Sequence, residues 1–320
     1  MVLFLLRFIA TILHAAAMFG LAPLLAGLVA NFRARLLGRR GPPIVQPYRD
    51  FRKLILKTPL IPDTATELYK IWPFAGLAAT AAAALLVPGF ALNLATARCS
   101  DLITLAGLFA LSRGAAALAG LETGFGFGGA GAARDALFGV FSGAALLILV
   151  LIFVLVTGDA TVDGISQVFS AGQMGISISL GFALAAMLGV ALSETGRMPS
   201  DHPGGHQELG MVRQAASLEY SGRYLALFRY TEDLRLMVWF SLIATIFLPF
   251  GIAEAGSVLS WPLGLLAWAA KLCALAAGLS LLEVSVARMR IFRVPEFLGA
   301  ALLLGLLSAI FLFVAGHLNG

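Results

Sequence analysis

One short stretch of the chain holds most of the residues that could move protons. Residues 192–222, LSETGRMPSDHPGGHQELGMVRQAASLEYSG, directly follow a long apolar run. Burial and mutual repulsion raise the pKa values of carboxylic acids towards neutral pH. Groups with pKa values in that range can pass protons on. The stretch is therefore a candidate proton path or cavity lining, with an ordinary loop that exposes its charges to water as the alternative. Its candidate residues are Glu194, Arg197, Asp201, His206, Glu208 and Glu219.

Spacing within this stretch predicts its local geometry. Glu194 and Arg197 are three residues apart, which allows an ion pair across one helical turn. The following DHPGG predicts a turn, because proline and glycine interrupt helices. A helix over 206–220 would then bring Glu208 and Glu219 to nearly the same face, since their separation is about three helical turns.

The rest of the chain is strongly apolar. Of its 320 residues, 60% are hydrophobic and 12% are charged, and the mean hydropathy is +0.93. A soluble domain of average composition carries about 25% charged residues. The chain is therefore expected to be an integral membrane protein. Its two cysteines and four scattered histidines lack the spacing of a disulfide framework or a metal site.

Apolar runs long enough to cross a bilayer recur along the chain. They predict an all-α membrane protein with eight transmembrane helices in a single polytopic domain, 1–320. We interpret the first run as a retained helix, because a signal peptide would begin with a cationic segment. The predicted spans are 2–30, 73–92, 101–121, 137–157, 172–192, 236–256, 261–283 and 294–316.

The cations are distributed unequally between the loops. Of the 22 Lys and Arg residues, 18 fall in the loops that follow spans one, three, five and seven. By the positive-inside rule these loops are cytoplasmic and both termini lie outside, with the largest cytoplasmic loops between spans 1–2 and 5–6. This topology in the cell's inner (cytoplasmic) membrane accounts for the net charge of +5, so nucleic acid is not needed as a partner.

Among the ionisable residues inside predicted spans we single out Arg113, Lys271 and Glu283, with Glu122 and Glu194 at span ends. Such residues are costly in lipid and are functional candidates by default. Lys271 and Glu283 lie on roughly the same side of one helix, but they are more than about three turns apart and cannot contact each other. We add both to the candidate proton path, with packing against a neighbouring helix as the alternative.

The first loop carries a second polar feature, GRRGPPIVQPYRDFRKLILK at 38–57. Its prolines predict an extended path, after which Phe51, Leu54 and Ile55 form the apolar side of a short basic helix. Such a helix suits either the anionic surface of the lipid membrane or a soluble partner. The residues assigned to partner docking are Arg39, Arg40, Gln46, Asp50, Arg52 and Lys53.

Further signals predict where helices begin and end. Thr64 and Glu67 form a capping-box pattern. The TED sequence at 231–233 predicts the start of the sixth span, and Pro295 predicts the first turn of the eighth. The glycine-rich segment 123–133 predicts a turn between spans three and four.

Three motifs carry a resemblance to a known family: GRRGPPIVQPYRDFRKLILK, LSETGRMPSDHPGGHQELGMVRQAASLEYSGRYLAL and LLEVSVARMRIFRVPEFLGAALLLG. The chain resembles the eight-helix membrane subunit shared by respiratory complex I (NADH dehydrogenase subunit 1) and by membrane-bound, energy-converting nickel–iron hydrogenases. The direct run from GRRGPP to QPY, together with HPGGHQELGM and RIFRVPEFLG, looks like the formate hydrogenlyase and hydrogenase-4 type. The resemblance covers almost the whole chain.

The resemblance implies a subunit that binds no cofactor itself. Iron–sulfur and nickel–iron centres are then expected in peripheral hydrogenase-like partner subunits, and antiporter-like subunits are expected beside it in the membrane. If the chain is a complex I-type subunit, the resemblance also implies a bound quinone. The family's roles carry over to Glu194, Arg197, Asp201, Glu208, Glu219, Arg223 and Glu283.

One position departs from the family's pattern. Many members carry a membrane glutamate in a motif resembling SRE…VEP at the start of the fourth span. Here AARDALFGVFSGA keeps Arg134 and Asp135 but has Gly143 where that acid would fall. A differently routed proton path and a weaker coupling are both compatible with this change.

Our leading hypothesis from the sequence is a membrane anchor and proton- or ion-coupling subunit of a membrane-bound hydrogenase complex. The alternative is the quinone-site subunit of an NADH:quinone oxidoreductase of the complex I type. A free-standing transporter is disfavoured, because the sequence shows neither inverted repeats nor broken helices.

Overall fold

The computed structural model describes residues 2–170, 178–197, 213–286 and 293–318. Asp201, His206 and Glu208 lie outside the described residues. Two short strands, β1 (Ala91–Leu92) and β2 (Ala253–Glu254), pair in parallel. Within the described ranges the α-helices are α1 (Val2–Leu36), α2 (Gln46–Leu56), α3 (Trp72–Leu86), α4 (Leu102–Glu122), α5 (Gly126–Thr157), α6 (Val162–Ser170), α7 (Ile178–Glu194), α8 (Arg213–Ser217), α9 (Gly222–Phe247), α10 (Trp261–Ser285) and α11 (Val294–Leu318).

Six of the described helices are long and apolar enough to cross a membrane: α1, α3 with the turn before it, α4, α5, α10 with the turn before it, and α11. The apolar part of α7, Ser179–Glu194, is shorter. The prediction of an all-α membrane protein is therefore confirmed, apart from the single pair of two-residue strands. The count of eight spans and the orientation of the termini remain predictions.

Helix α9 forms the centre of the bundle. It packs against α1, α2, α3, α6 and α10, and every residue from Leu234 to Ile246 is buried. A helix that is apolar on all sides is typical of a protein core or of a membrane span. The ring of Trp239 stacks on Phe109 of α4 with 4.9 Å between centroids. Helices α4, α5, α7 and α11 pack together on one side of this centre, and α1 and α10 on the other.

Helix α9 also begins earlier than the sequence predicted. The TED segment at 231–233 lies inside the helix, so it is not an N-terminal cap. The helix begins at Gly222, whose φ of +54° suits glycine, and a Cβ there would lie 2.7 Å from the carbonyl oxygen of Lys57. It ends at Phe247, two residues before Pro249, so the predicted span 236–256 is too long at its C-terminal end.

The glycine-rich segment 123–133 is mostly helical, contrary to the predicted turn. Helix α5 starts at Gly126, and a Cβ on Gly128 would lie only 3.1 Å from the carbonyl oxygen of Gly120 in α4. Small residues let two helices approach closely. The glycines therefore allow α4 and α5 to pack together at this end.

Three smaller predictions have mixed outcomes. The basic helix in the first loop is confirmed as α2, and Pro295 lies in the first turn of α11. The capping-box prediction is wrong, because the cap is Thr66, whose hydroxyl accepts from the backbone N–H of Leu68. The helix predicted over 206–220 ends at Ser217 in the described part, and Glu219 lies in the turn beyond it.

We call the end of the bundle where α1, α4, α7 and α10 finish the charged end. At the opposite end, loops are tied together by backbone and side-chain hydrogen bonds. The carboxylate of Asp163 accepts from the backbone N–H of Asn93 at 2.8 Å and from the hydroxyl of Ser100 at 3.2 Å. Burial raises the pKa of Asp163, and these two donors oppose that shift.

The close contact of β1 and β2 with α10 gives a test of this packing. A Cβ on Gly264 would lie 2.6 Å from the carbonyl oxygen of Phe90, whereas one on Gly278 of the same helix would meet nothing within 4 Å. We expect Gly264→Ala to lower the free energy of unfolding by about 1–3 kcal/mol through overpacking. Gly278→Ala is the control and should be neutral or slightly stabilising. Thermal unfolding in detergent measures both, and equal melting temperatures would contradict the packing.

Candidate functional site

Five charged side chains from five helices meet inside the protein near its charged end. Each residue is between 3% and 7% exposed. They come from the middle of α4, the first third of α5, the last residue of α7, the short helix α8 and the middle of α9. We call this group the arginine–carboxylate network, and its members are Arg113, Asp135, Glu194, Arg213 and Arg235.

Arg113 joins the two carboxylates of the network. Its Nη2 and Nε donate to the two oxygens of Asp135 at 3.0 and 3.3 Å, a bidentate pair. Its Nη1 donates to Glu194 Oε1 at 2.5 Å and to the hydroxyl of Ser142 at 2.7 Å. A Cβ on Gly139 would lie 2.9 Å from Arg113 Cδ, so glycine leaves the space that this side chain crosses.

The other two arginines bind the C-terminal end of α7. The backbone carbonyl of Glu194 accepts from Arg213 Nη1 at 2.5 Å and from Arg235 Nη1 at 3.4 Å. Helix C-termini attract cations, because their last carbonyl groups lack partners within the helix. Arg213 also approaches Asp135 Oδ1 at 3.4 Å, and Arg235 Nη2 donates to the hydroxyl of Ser112 at 2.5 Å.

Glu194 Oε2 and Arg235 Nε are buried polar atoms of the network that have no hydrogen-bond partner among the described residues. Arg235 also lines a cavity of about 30 Å³ between α3, α4, α8 and α9, together with Ser112, Arg213 and Glu232. This volume holds about two water molecules, although most of the wall that lines it is apolar. The network therefore adjoins a small space whose hydrogen-bonding groups include Arg235, Arg213 and Ser112.

A second group of charges lies at the ends of α1, α7 and α10. The two oxygens of Glu283 accept from Arg33 and Arg197, each at 3.3 Å. The predicted pair of Glu194 with Arg197 is therefore wrong. Gly196 adopts φ +65° and ends the helix, as left-handed glycines commonly do. Arg197 consequently points away from the face that Glu194 shares with Arg113.

The remaining predicted site residues lie apart from both groups. Lys271 is buried on α10 with its ammonium 4.9 Å from the ring centroid of Phe250. Arg223 is exposed at the start of α9, 5.3 Å from the ring centroid of Tyr224. Glu219 is half-buried in the turn after α8, and its backbone carbonyl accepts from the hydroxyl of Tyr69 at 3.1 Å.

The predicted docking residues lie on the outer surface of the first loop. Gln46 donates to Asp50 at 2.9 Å along the first turn of α2. The aromatic ring of Phe51, on the apolar side of this helix, packs against Tyr230 of α9 with 5.3 Å between centroids. The cations at these positions are all exposed: Arg39, Arg40, Arg52 and Lys53.

The sequence prediction missed three members of the network, Asp135, Arg213 and Arg235, and also Ser142, which contacts Arg113 and Glu194. Arg113 was visible as a charge inside a span, and this signal alone required a buried carboxylate partner. Arg235 was assigned to a loop because α9 was predicted to begin too late. Gly143, next to Ser142, has open space around it, since a Cβ there would meet nothing within 4 Å.

The described residues contain no group of three or more His, Cys, Asp or Glu side chains that could hold a metal ion. What the arrangement offers is charge at membrane depth, two carboxylates and a cavity for water. Removing one partner of a buried ion pair leaves the other uncompensated, which is strongly destabilising. Loss of Asp135 would therefore leave Arg113 buried without its bidentate partner.

This property is testable with two isosteric substitutions. We expect Asp135→Asn to lower the free energy of unfolding by about 3–5 kcal/mol, because Arg113 stays buried without its bidentate partner. Glu283→Gln, whose partner Arg33 is half-exposed, should cost about 1 kcal/mol or less. Unfolding in detergent measures both, and similar losses for the two variants would contradict the assignment.

Comparison with known proteins identifies relatives along nearly the whole chain. Formate hydrogenlyase subunit 4 of Escherichia coli K12 is 30% identical over 304 residues, which cover 95% of this chain and 98% of that protein. Hydrogenase-4 component C of the same organism is 34% identical over 234 residues, 73% of each chain. The structure of the membrane-bound sulfane sulfur reductase, an archaeal respiratory membrane complex, contains a chain of the same fold. Its TM-score is 0.76 at 19% identity, over 96% of this chain and 98% of that one.

The family model described as NADH dehydrogenase matches residues 8–315. The resemblance that the three sequence motifs carried is thereby confirmed. This chain belongs to the NADH dehydrogenase family of complex I subunit 1-like membrane proteins.

Proposed function

We propose that this chain is the membrane anchor and ion-coupling subunit of a hydrogenase-type complex of the formate hydrogenlyase and hydrogenase-4 kind. It carries out no redox chemistry. It docks a peripheral redox module on its first loop and on the 194–229 segment, and it links electron transfer in that module to ion translocation. Formate hydrogenlyase subunit 4 and hydrogenase-4 component C, both 30% identical or more, support this branch of the family.

One observation carries the coupling role: the carboxylate of Glu194 is half-satisfied inside the protein. Its Oε1 accepts from Arg113 and Ser142, whereas its Oε2 is buried without a partner among the described residues. An unpaired buried acceptor costs about 1–3 kcal/mol, so an ion pair that only held the helices together would gain stability from satisfying both oxygens. A proton or a water molecule that reached Oε2 would bind there without breaking any described hydrogen bond.

The charged groups around Glu194 would respond to a change in its charge. Asp135 accepts from two guanidinium groups and serves as the fixed anion that positions Arg113. A proton arriving at Glu194 weakens its attraction to Arg113, so the balance of charge in the network changes with each proton. Glu283, between Arg33 and Arg197, extends the proposed path towards α1 and α10. Asp201, His206, Glu208, Glu219, Arg223 and Lys271 stay in the proposal on sequence grounds.

We infer an eight-span topology with both termini outside, in the cell's inner membrane. It requires α7 and α9 to cross with the six long apolar helices. The buried run in α9 supports this, since surrounding helices shield it from lipid. The loops rich in Lys and Arg lie at the charged end of the bundle. We assign this end to the cytoplasm.

We assign the redox centres to partner subunits. The chain has two cysteines, Cys99 and Cys273, on different elements, so it lacks the cysteine sets that hold iron–sulfur clusters. Iron–sulfur and nickel–iron centres then belong to the peripheral subunits, and antiporter-like subunits complete the ion path in the membrane.

A second candidate function is the quinone-site subunit of an NADH:quinone oxidoreductase, which the description of the matching family supports. The two functions differ in their electron acceptor. Hydrogen evolution by the purified complex that is unaffected by added quinones and quinone-site inhibitors favours the hydrogenase-type role. Inhibition by such compounds favours the quinone role.

The coupling role is tested by Glu194→Gln in the complete complex reconstituted into vesicles. The amide oxygen of Gln can still accept from Arg113, and Asp135 stays as the bidentate partner of that guanidinium. We therefore expect the variant to lose some stability but still to assemble and transfer electrons. Ion movement per electron should fall severalfold, because the side chain no longer gains and loses a proton. The measurement is the pH gradient, or the sodium gradient, formed for each electron transferred.

Glu254→Gln is the matched control, since Glu254 is exposed at the opposite end of the bundle. It should leave the gradient unchanged. An unchanged ratio of ions to electrons in Glu194→Gln would refute the proposed coupling site.

A further inference from the structure

The segment after α2 is fixed across the ends of two bundle helices. The backbone N–H of Leu60 donates to the hydroxyl of Ser221 at 2.7 Å, and that hydroxyl also lies 3.0 Å from the carbonyl oxygen of Leu60. Six residues later, the N–H of Thr66 donates to the carboxylate of Glu122 at 3.1 Å. We call residues 57–66 the strap. It joins the start of α9 to the end of α4.

Further contacts fix the strap between these two points. The hydroxyl of Thr64 donates to the carbonyl oxygen of Thr123 at 2.8 Å. The carbonyl oxygen of Lys57 lies so close to Gly222 that a side chain there would collide with it. Pro59 and Pro62 restrict the backbone in between. The strap is therefore a shaped element whose side chains are presented in fixed directions.

The strap and its surroundings expose large apolar side chains. Leu60 is 79% exposed, Leu56 just before the strap is 76% exposed, and Ile61 is 40% exposed. Leu218, three residues before Ser221, is 56% exposed. A fixed backbone that holds leucine side chains away from the core is typical of an interaction surface.

The position of the strap favours a protein partner over lipid. The strap is bonded to the last residue of α4, Glu122, and to the residue preceding α9, Ser221. Because the strap crosses the ends of these helices, it lies outside the hydrocarbon that the helices span. Leu263 and Leu266, by contrast, are exposed along the side of α10, which is long and apolar enough to cross a membrane.

Cations outnumber acids around this apolar surface, where Asp63 is the exposed acid of the strap. Lys53 and Lys57 precede Leu60 in the chain, and Arg223 follows the glycine that the strap covers. All three are exposed. Interfaces commonly place apolar anchors at the centre and charged groups at the rim, where the charges select the partner.

We propose that Leu56, Leu60 and Ile61 form the apolar anchor on which a peripheral protein subunit docks. The contact surface of that partner is apolar at its centre and acidic at its rim. This inference rests on the proposed function, because it names where the peripheral redox module binds. It adds the strap to the polar docking residues of α2.

The test compares two exposed leucines in the tagged, detergent-purified complex. Leu60→Asp places a charge in the anchor, whereas Leu259→Asp places one on a residue that is 94% exposed at the opposite end of the bundle. Loss of a central anchor weakens an interface by at least about tenfold. We expect Leu60→Asp to lose the iron–sulfur protein that copurifies with the tagged chain, and Leu259→Asp to retain it. Equal retention in both variants would overturn the inference.

A labelling experiment separates a protein partner from lipid. Leu60→Cys is made in a Cys99→Ser, Cys273→Ser background and treated with a membrane-impermeant maleimide. We expect protection in the intact complex and rapid labelling after the peripheral subunits are stripped. Labelling that stays slow after stripping means that lipid covers Leu60, and rapid labelling before stripping means that nothing covers it. Either result overturns the inference.

The wild-type complex separates this inference from the proposed function. If the wild-type chain purifies without any redox protein, both fail. If the wild type retains the redox protein and Leu60→Asp retains it equally, the proposed function stands and the anchor alone is refuted.

Discussion

The contact of Arg113 with two carboxylates governs the charged half of this protein. A guanidinium at membrane depth is tolerated only with partners in place, and here they come from α5 and α7. The contacts of Asp135 and Glu194 with Arg113 constrain how α5 and α7 pack against α4. Gly139 leaves space for the side chain, and Gly196 ends α7 with its last carbonyl facing Arg213 and Arg235. Helix ends, glycines and charges are thus parts of one arrangement.

The sequence predicted the apolar helices well, because long apolar runs have a simple physical cause. Three predicted spans begin and end within two residues of the observed helices: 101–121, 261–283 and 294–316. The predictions failed where tertiary contacts override local signals. The TED segment resembles a helix start, yet the strap positions Gly222 as the true start of α9. The glycines at 126–131 resemble a turn, yet they serve close packing of α4 and α5.

The candidate site was only partly predictable for a related reason. Glu194 and Glu283 were identified from their types and positions, but their partners were not. Sequence spacing proposes neighbours along one helix, whereas Arg113 and Arg33 approach these carboxylates from other helices. Asp135 was visible in the sequence as part of ARD, and only the fold shows that it lies beside Arg113. Pairing between helices depends on their packing, which periodicity alone does not specify.

Helix α9 connects the surface of the protein to its interior in a single rigid element. Its first residues lie beneath the strap, at Ser221 and Gly222, and Arg235 in the network is thirteen residues further along. At the rise of an α-helix this separation is about 20 Å. The intervening turns are hydrogen-bonded along one uninterrupted helix. The outer attachment of the strap and the wall of the cavity at Arg235 therefore belong to the same element.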